Sequence, residues 1–151
     1  MKIKLTGLLL AMLLAAGGCA SGPKYTEVKS AIPSIPADKG RVYFYRSGSM
    51  IGSGIQPSVT MNGEKVGDSV PGGFFFVDRA PGAYEVLLST EVERKATFTL
   101  EPGQLRYIRM SVGLGLLVYR VHPELVDASQ AESEMLDTSY IGTIPLLQAK
   151  Q

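Results

Sequence analysis

From Gly40 onward the chain runs in short apolar and polar alternations separated by turn residues. Arg41 to Arg46 sets Val42 and Phe44 against Tyr43 and Tyr45, the aromatic and β-branched pattern of a strand. Val59 to Met61 and Glu64 to Gly67 flank Asn62-Gly63, which predicts a two-residue hairpin because both central residues of a type I′ turn take positive φ. Phe74 to Asp78, the turn Ala80-Pro81-Gly82 and Ala83 to Thr90 read as a second hairpin. Lys95 to Leu100 puts Ala96, Phe98 and Leu100 on one face, and Pro102-Gly103 turns the chain into Leu105 to Val112. Gly113-Leu114-Gly115 then separates that strand from Leu116 to Val121. Seven or eight strands at this spacing predict a mainly β fold, a single antiparallel β-sandwich over residues 40–140. One short C-terminal helix is expected where Ser129-Gln130-Ala131-Glu132 has capping-box spacing ahead of Met135 and Leu136. Residues 141–151, with Gly142 and Pro145, are expected to form a loosely held tail.

The amino-terminal pattern is different in kind. Lys2 and Lys4 form a positive region, Leu5 to Ala16 an apolar one, and Ala16-Gly17-Gly18-Cys19 supplies small residues, so residues 1–18 read as a signal peptide. The apolar run is broken by Thr6 and Gly7 and is shorter than the roughly 18 residues of a spanning helix. Residues 19–39 carry Pro23, Pro33 and Pro36 without sustained periodicity and read as a flexible tether, which as a coil would average about 25 Å end to end.

Composition agrees with a turn-rich β domain, since the 151 residues include 17 Gly, 9 Pro and no Trp. Without the two signal-segment lysines the chain holds 13 basic and 14 acidic residues, and no basic stripe that would track a nucleic-acid backbone. Nucleic acid is therefore not an expected partner. A single cysteine excludes an internal disulfide and a Cys-rich zinc site.

Leu14-Ala15-Ala16-Gly17-Gly18-Cys19-Ala20-Ser21 resembles the lipobox of bacterial lipoproteins, with Ala16 where leucine is favoured. The resemblance implies a diacylglyceryl thioether on the Cys19 sulfur and an acyl chain on its new amino group, which together hold the protein at a membrane. Ala20 is not the Asp that accompanies inner-membrane retention in such lipoproteins. The implied location is thus the bacterial cell envelope, and the periplasmic leaflet of the outer membrane where the host has two membranes. The alternative is ordinary cleavage near Gly18 with Cys19 left as a free thiol. Farther along, Gly40-Arg41-Val42-Tyr43-Phe44-Tyr45-Arg46, Val59-Thr60-Met61-Asn62-Gly63 and Ala80-Pro81-Gly82-Ala83-Tyr84-Glu85-Val86 are similar to an uncharacterised family of bacterial lipoprotein domains. Their Asn-Gly and Pro-Gly turns also resemble those of prealbumin-like sandwiches. The likeness covers roughly residues 40–140 and implies a fold without an activity.

Candidate chemistry is sparse. His122 is the one histidine, so no histidine metal cluster exists, and a Ser/His/Asp triad through it lacks a G-x-S-x-G elbow. His122 instead reads as a strand-end residue before Pro123. Gly52-Ser53-Gly54 and Gly113-Leu114-Gly115 do not complete a phosphate-binding G-x-G-x-x-G and read as turns. Glu91 with Glu93 and Glu132 with Glu134 read as solvated neighbours rather than a glycosidase pair. No catalytic residue, metal ligand or cofactor is expected. The loop Ser47 to Ile55 carries Met50, Ile51 and Ile55 in a glycine-serine setting and reads either as a contact loop or as side chains folded over an open end of the sandwich. Two functions follow. The leading one is a non-enzymatic, membrane-tethered module that contacts an envelope protein or polymer. The other is a small-ligand or glycan binder, or an unrecognised hydrolase, in which Tyr43 and Tyr45 stack on the ligand.

Overall fold

The computed structural model describes residues 19–89, 94–115 and 118–147. Residues 1–18, read above as a signal peptide, Glu91 and Glu93, Leu116 and the last four residues lie outside the described residues. The fold is mainly β, with nine strands among the described residues: β1 Gly40–Tyr45, β2 Ser58–Met61, β3 Glu64–Asp68, β4 Gly73–Arg79, β5 Gly82–Leu88, β6 Lys95–Leu100, β7 Leu105–Leu114, β8 Tyr119–Val126 and β9 Ser139–Tyr140. They form two sheets, β8-β7-β1-β4-β9 and β3-β2-β5-β6. Two short helices, α1 Tyr25–Val28 and α2 Ala128–Met135, lie outside the sandwich.

Alternation places Val42, Phe44, Phe75 and Ile108 of the first sheet against Val59, Val86, Phe98 and Leu100 of the second, and this is the main core. Phe44 stacks on Phe75 with centroids 4.9 Å apart. A second core covers the opposite face of the first sheet, where Tyr43, Tyr45, Phe74, Phe76 and Tyr107 pack under Tyr25, Val28, Ala131 and Met135. Every residue of β1 is therefore buried, although Arg41, Tyr43 and Tyr45 carry polar groups.

Several local expectations hold, and others change once the strands find partners. Asn62 and Gly63 take φ of 50° and 81°, closing the β2–β3 hairpin as the dipeptide predicts. The turn at Ala80-Pro81 makes no hairpin, because β4 joins the first sheet and β5 the second. The sandwich is also not wholly antiparallel. β1 runs parallel to β7, with Tyr43 opposite Tyr107, and β4 runs parallel to β9. Parallel neighbours need a long crossover, and here the whole second sheet is inserted between β1 and β7. The last long strand starts at Tyr119 and continues through Pro123 to Val126. Proline is tolerated there because β8 is an edge strand and its missing N–H faces away from the ladder. Helix α2 begins after Asp127 rather than Ser129, and Ser129 lies inside it.

The segments flanking the sandwich are docked on it. Between residues 20 and 39, Tyr25 and Val28 are buried, and Tyr25 meets the Phe74 ring edge-on at 5.3 Å. The Tyr25 amide donates to Thr138 O, the Tyr140 amide to Pro23 O and the Leu147 amide to Ala31 O. Arg41, 2 % exposed, grips Asp78 with two bonds of 2.6 and 2.8 Å and donates to Pro33 O, fastening the same segment to β1 and β4. Residues 20–39 thus run along the domain, and residues 141–147 are held rather than loose.

Candidate functional site

Tyr43 and Tyr45 are buried in the second core, and Tyr45 borders a shallow cleft of about 380 Å³ beside Arg109, Ser111 and Glu134. Tyr43 stacks on Tyr107 at 5.3 Å beneath the helical layer. Tyr45, 1 % exposed, donates its hydroxyl to Glu134 at 2.6 Å. The Tyr43 ring, packed against Tyr107 and Phe76, has no free face to offer a sugar. The sequence alternation alone did not reveal that both faces of β1 would be covered.

Around Glu134 lies a polar cluster that the sequence reading missed. Cross-strand pairing sets Arg109 opposite Glu124 and Ser111 opposite His122, so all four share one face of β7 and β8. Arg109 donates to Glu124 at 2.7 Å and to Glu134 at 2.8 Å, tying both strands to α2. Ser111 donates to Glu124 at 2.7 Å, His122 Nε2 lies 2.9 Å from the other Glu124 oxygen, and Gln130 donates to Glu134. The signal for this cluster is the polar alternation Arg109-x-Ser111 and His122-x-Glu124 in facing strands.

The arrangement is not a hydrolytic triad. A nucleophile must bond to its base and the base to an orienting acid, whereas here both Ser111 and His122 bond to the carboxylate. Among the described residues no group of three His, Cys, Asp or Glu side chains forms a metal site. What the cluster does is hold charge. Burial pushes the Glu124 carboxyl up, but bonds from Ser111, Arg109 and His122 outweigh it and hold the group down to about 2. Glu134 is also lowered, with burial opposed by Tyr45, Gln130 and Arg109. Burial, with Glu134 behind it, raises Tyr45 well above its ordinary value.

Both carboxylates titrate in the folded protein below their unfolded value of 4.5, so their stabilisation is complete above that pH and is lost as pH falls toward 2. The charged side chains of the cluster are about one-third exposed, and solvent screens part of the effect. We expect urea unfolding to weaken by about 1–2 kcal/mol between roughly pH 5 and pH 2 through this cluster. Glu124→Gln should flatten that slope, and an unchanged slope would show that the cluster is not coupled to folding.

Arg46, just past the end of β1, is 1 % exposed and has no carboxylate partner among the described residues. Its guanidinium donates to Ile55 O at 2.6 Å, Ser69 O at 2.8 Å and Gly52 O at 2.7 Å, and burial pulls its pKa below the usual arginine value. These bonds fix the loop from Ser47 to Ile55 and divide its apolar residues. Ile55 packs against the main core, whereas Met50 is 82 % and Ile51 55 % exposed. Ile55 thus folds back over the sandwich, and Met50 and Ile51 stay exposed at the tip.

A cleft of about 630 Å³ opens between β3 and β4 along one side of the sandwich. Its floor is apolar, with Val66, Phe75, Val77 and Ile141. Gly67 is required there, since a Cβ at this position would come within 2.5 Å of the Phe75 ring. β3 is an outer strand of its sheet, and among the described residues β4 has a strand partner on this edge only at Gly73 and Phe74. The carboxylates around the cleft are committed: Glu64 to Arg79, Asp68 to Lys65 and Asp78 to Arg41.

Residues 36–124 match the model of a family described as a protein of unknown function, DUF2846. The chain belongs to the DUF2846 family. No curated protein and no solved structure matches it. The DUF2846 match takes in both strands of the cleft, the Arg46 loop and the Arg109–Glu124 pair. Cys19, α1 and α2 lie outside it, so Glu134 is contributed to the cluster from beyond the family region. Cys19 itself is exposed, and the amide of the next residue, Ala20, donates to Pro71 O at 3.1 Å. Among the described residues no helix is long and apolar enough to cross a membrane.

Proposed function

We propose that this chain is a non-enzymatic module of the bacterial cell envelope, anchored by lipid on Cys19, that binds an envelope protein or polymer in the cleft between β3 and β4. The observation that carries the reading is the build of that cleft: an apolar floor between two incompletely paired strand edges, with each carboxylate on its rim already in an ion pair. Unpaired edges accept an extended segment by strand addition, while acid–base chemistry needs a carboxyl free to take or give a proton. The lipobox-like run ending at Cys19 supports the anchor, and Ala20 supports the periplasmic leaflet of an outer membrane. The likeness to prealbumin-like surface modules points the same way, toward a sandwich that presents edges and loops rather than a catalytic centre. A small ligand or glycan is the second reading, favoured by a cleft volume within the range of ligand pockets.

A photo-crosslinking residue at exposed Thr143, on the cleft, tests the reading in intact cells. The expected result is a discrete polypeptide or polymer adduct that is absent when the probe sits at Ser133 on the exposed side of α2. Identical patterns from both positions would overturn the cleft as the binding site.

A further inference from the structure

Cys19 does not leave the domain at an arbitrary point. The Ala20 amide is bonded to Pro71 O, and the next residue, Gly72, donates its amide to Ser47 O. A Cβ at Gly72 would lie 3.5 Å from the Gly48 Cα, so the start of the described chain, the 71–72 turn and the foot of the Met50 loop meet at one end of the sandwich. Because β7 runs parallel to β1, its C-terminal end points the same way, and β8 starts there, with Tyr119 opposite Leu114. The two tips are neighbours: a Cβ at Gly52 would come within 2.8 Å of Val112, two residues before Leu114.

Apolar side chains concentrate at this end. Among the described residues nine large hydrophobic side chains are exposed, and five of them are here: Met50 at 82 %, Ile51 at 55 %, Leu114 at 78 %, Val118 at 50 % and Tyr119 at 43 %. A soluble protein scatters such residues singly, and a rimmed group of them marks a contact surface. The Ser47–Gly54 tip carries no charge, and its conformation is held from behind by the Arg46 bonds to Gly52 O and Ile55 O, so exposure is built into the loop. The occupant is identified by what leaves the domain beside it. Resting on the reading that Cys19 carries acyl chains, we propose that this end is a membrane-contact face, with Met50, Ile51, Leu114, Val118 and Tyr119 seated in the lipid interface next to the anchor. Anchoring and contact then reinforce each other, and the cleft between β3 and β4 is held at a set orientation to the bilayer rather than swinging on a tether. Apolar side chains buried at a bilayer interface add to a lipid anchor in the way a second signal does.

The chain contains no tryptophan, so a single introduced one reports its own surroundings. Met50→Trp, Leu114→Trp and a control, Glu101→Trp in the turn before β7, are made in the full chain, purified with detergent and reconstituted into phosphatidylethanolamine–phosphatidylglycerol vesicles containing brominated phospholipid. All three positions are exposed, so an indole there displaces no buried side chain. Seating in the interface should quench the indole emission of Met50→Trp and Leu114→Trp by roughly half, and that of Glu101→Trp by about a tenth or less. Quenching in Met50→Trp or Leu114→Trp no greater than in Glu101→Trp, in protein whose mass shows the acyl chains, would overturn the contact face and leave the anchor standing. If the mass shows no acyl chain, the anchor reading fails; the free Cys19 thiol is then coupled to a maleimide phospholipid, and the same comparison decides whether the face meets lipid.

Discussion

Arg46→Met is expected to lower the unfolding free energy by about 2–4 kcal/mol, read as a fall in the urea midpoint at neutral pH. Methionine keeps much of the apolar length of arginine, so the change isolates the guanidinium. Three carbonyls, those of Gly52, Ile55 and Ser69, lose a charged donor at once. A hydrogen bond to a charged group contributes roughly 1.5–3 kcal/mol. Against that stands a gain, because a buried charge without a carboxylate partner is poorly solvated, and Nε has no partner among the described residues. The net remains a loss, since the variant keeps the three carbonyls in place while taking away their donors. Arg46→Lys should restore less than half, as one ammonium cannot span carbonyls that the planar fork reaches from two nitrogens. Ser69→Ala serves as the control: its hydroxyl is buried without a partner, so its removal should leave the midpoint unchanged or slightly higher. The loop from Ser47 to Ile55 should also become protease-sensitive in Arg46→Met. An unchanged midpoint and an intact loop would mean that the carbonyls find donors elsewhere.

The largest expected effect on location comes from Cys19→Ser. Thioether formation needs the nucleophilic sulfur of cysteine, and a serine hydroxyl at the same place is far less reactive. Wild-type protein is expected to incorporate labelled fatty acid and partition into detergent with the membranes. The variant should incorporate none and should either accumulate as uncleaved precursor or be released. Cys19 is exposed, so its sulfur is open to a modifying enzyme. Wild-type protein that is soluble and unlabelled would sink the anchor and leave an exported domain with one free thiol. The conservative size of the substitution keeps folding out of the comparison, since Cys19 packs in neither core.

Much of the local structure was legible before any fold was known. Asn62-Gly63 names its own turn, because backbone sterics leave few residues willing to take positive φ. Lys95 to Leu100 alternates exposed and buried along its whole length, as its sequence reads. Cys19 was singled out by the run of residues preceding it, and the Ser47–Ile55 loop by composition, although only contact with the core could separate Ile55 from Met50 and Ile51.

What the sequence by itself determined is where β1 to β7 begin, how the chain turns at Asn62-Gly63 and which side chains alternate, since those are decided by the sterics and polarity of residues a few positions apart. The tertiary structure alone decided which strands are neighbours. It sent β4 and β5 to different sheets, laid β7 parallel to β1 and folded residues 20–31 with α2 over Tyr43 and Tyr45. It also brought Arg109, Glu124 and Glu134 together, and set Arg46 among the carbonyls of its loop. The physical reason is that these contacts join segments tens of residues apart, where burial and hydrogen-bond satisfaction over the whole molecule choose among pairings that local chemistry leaves equal.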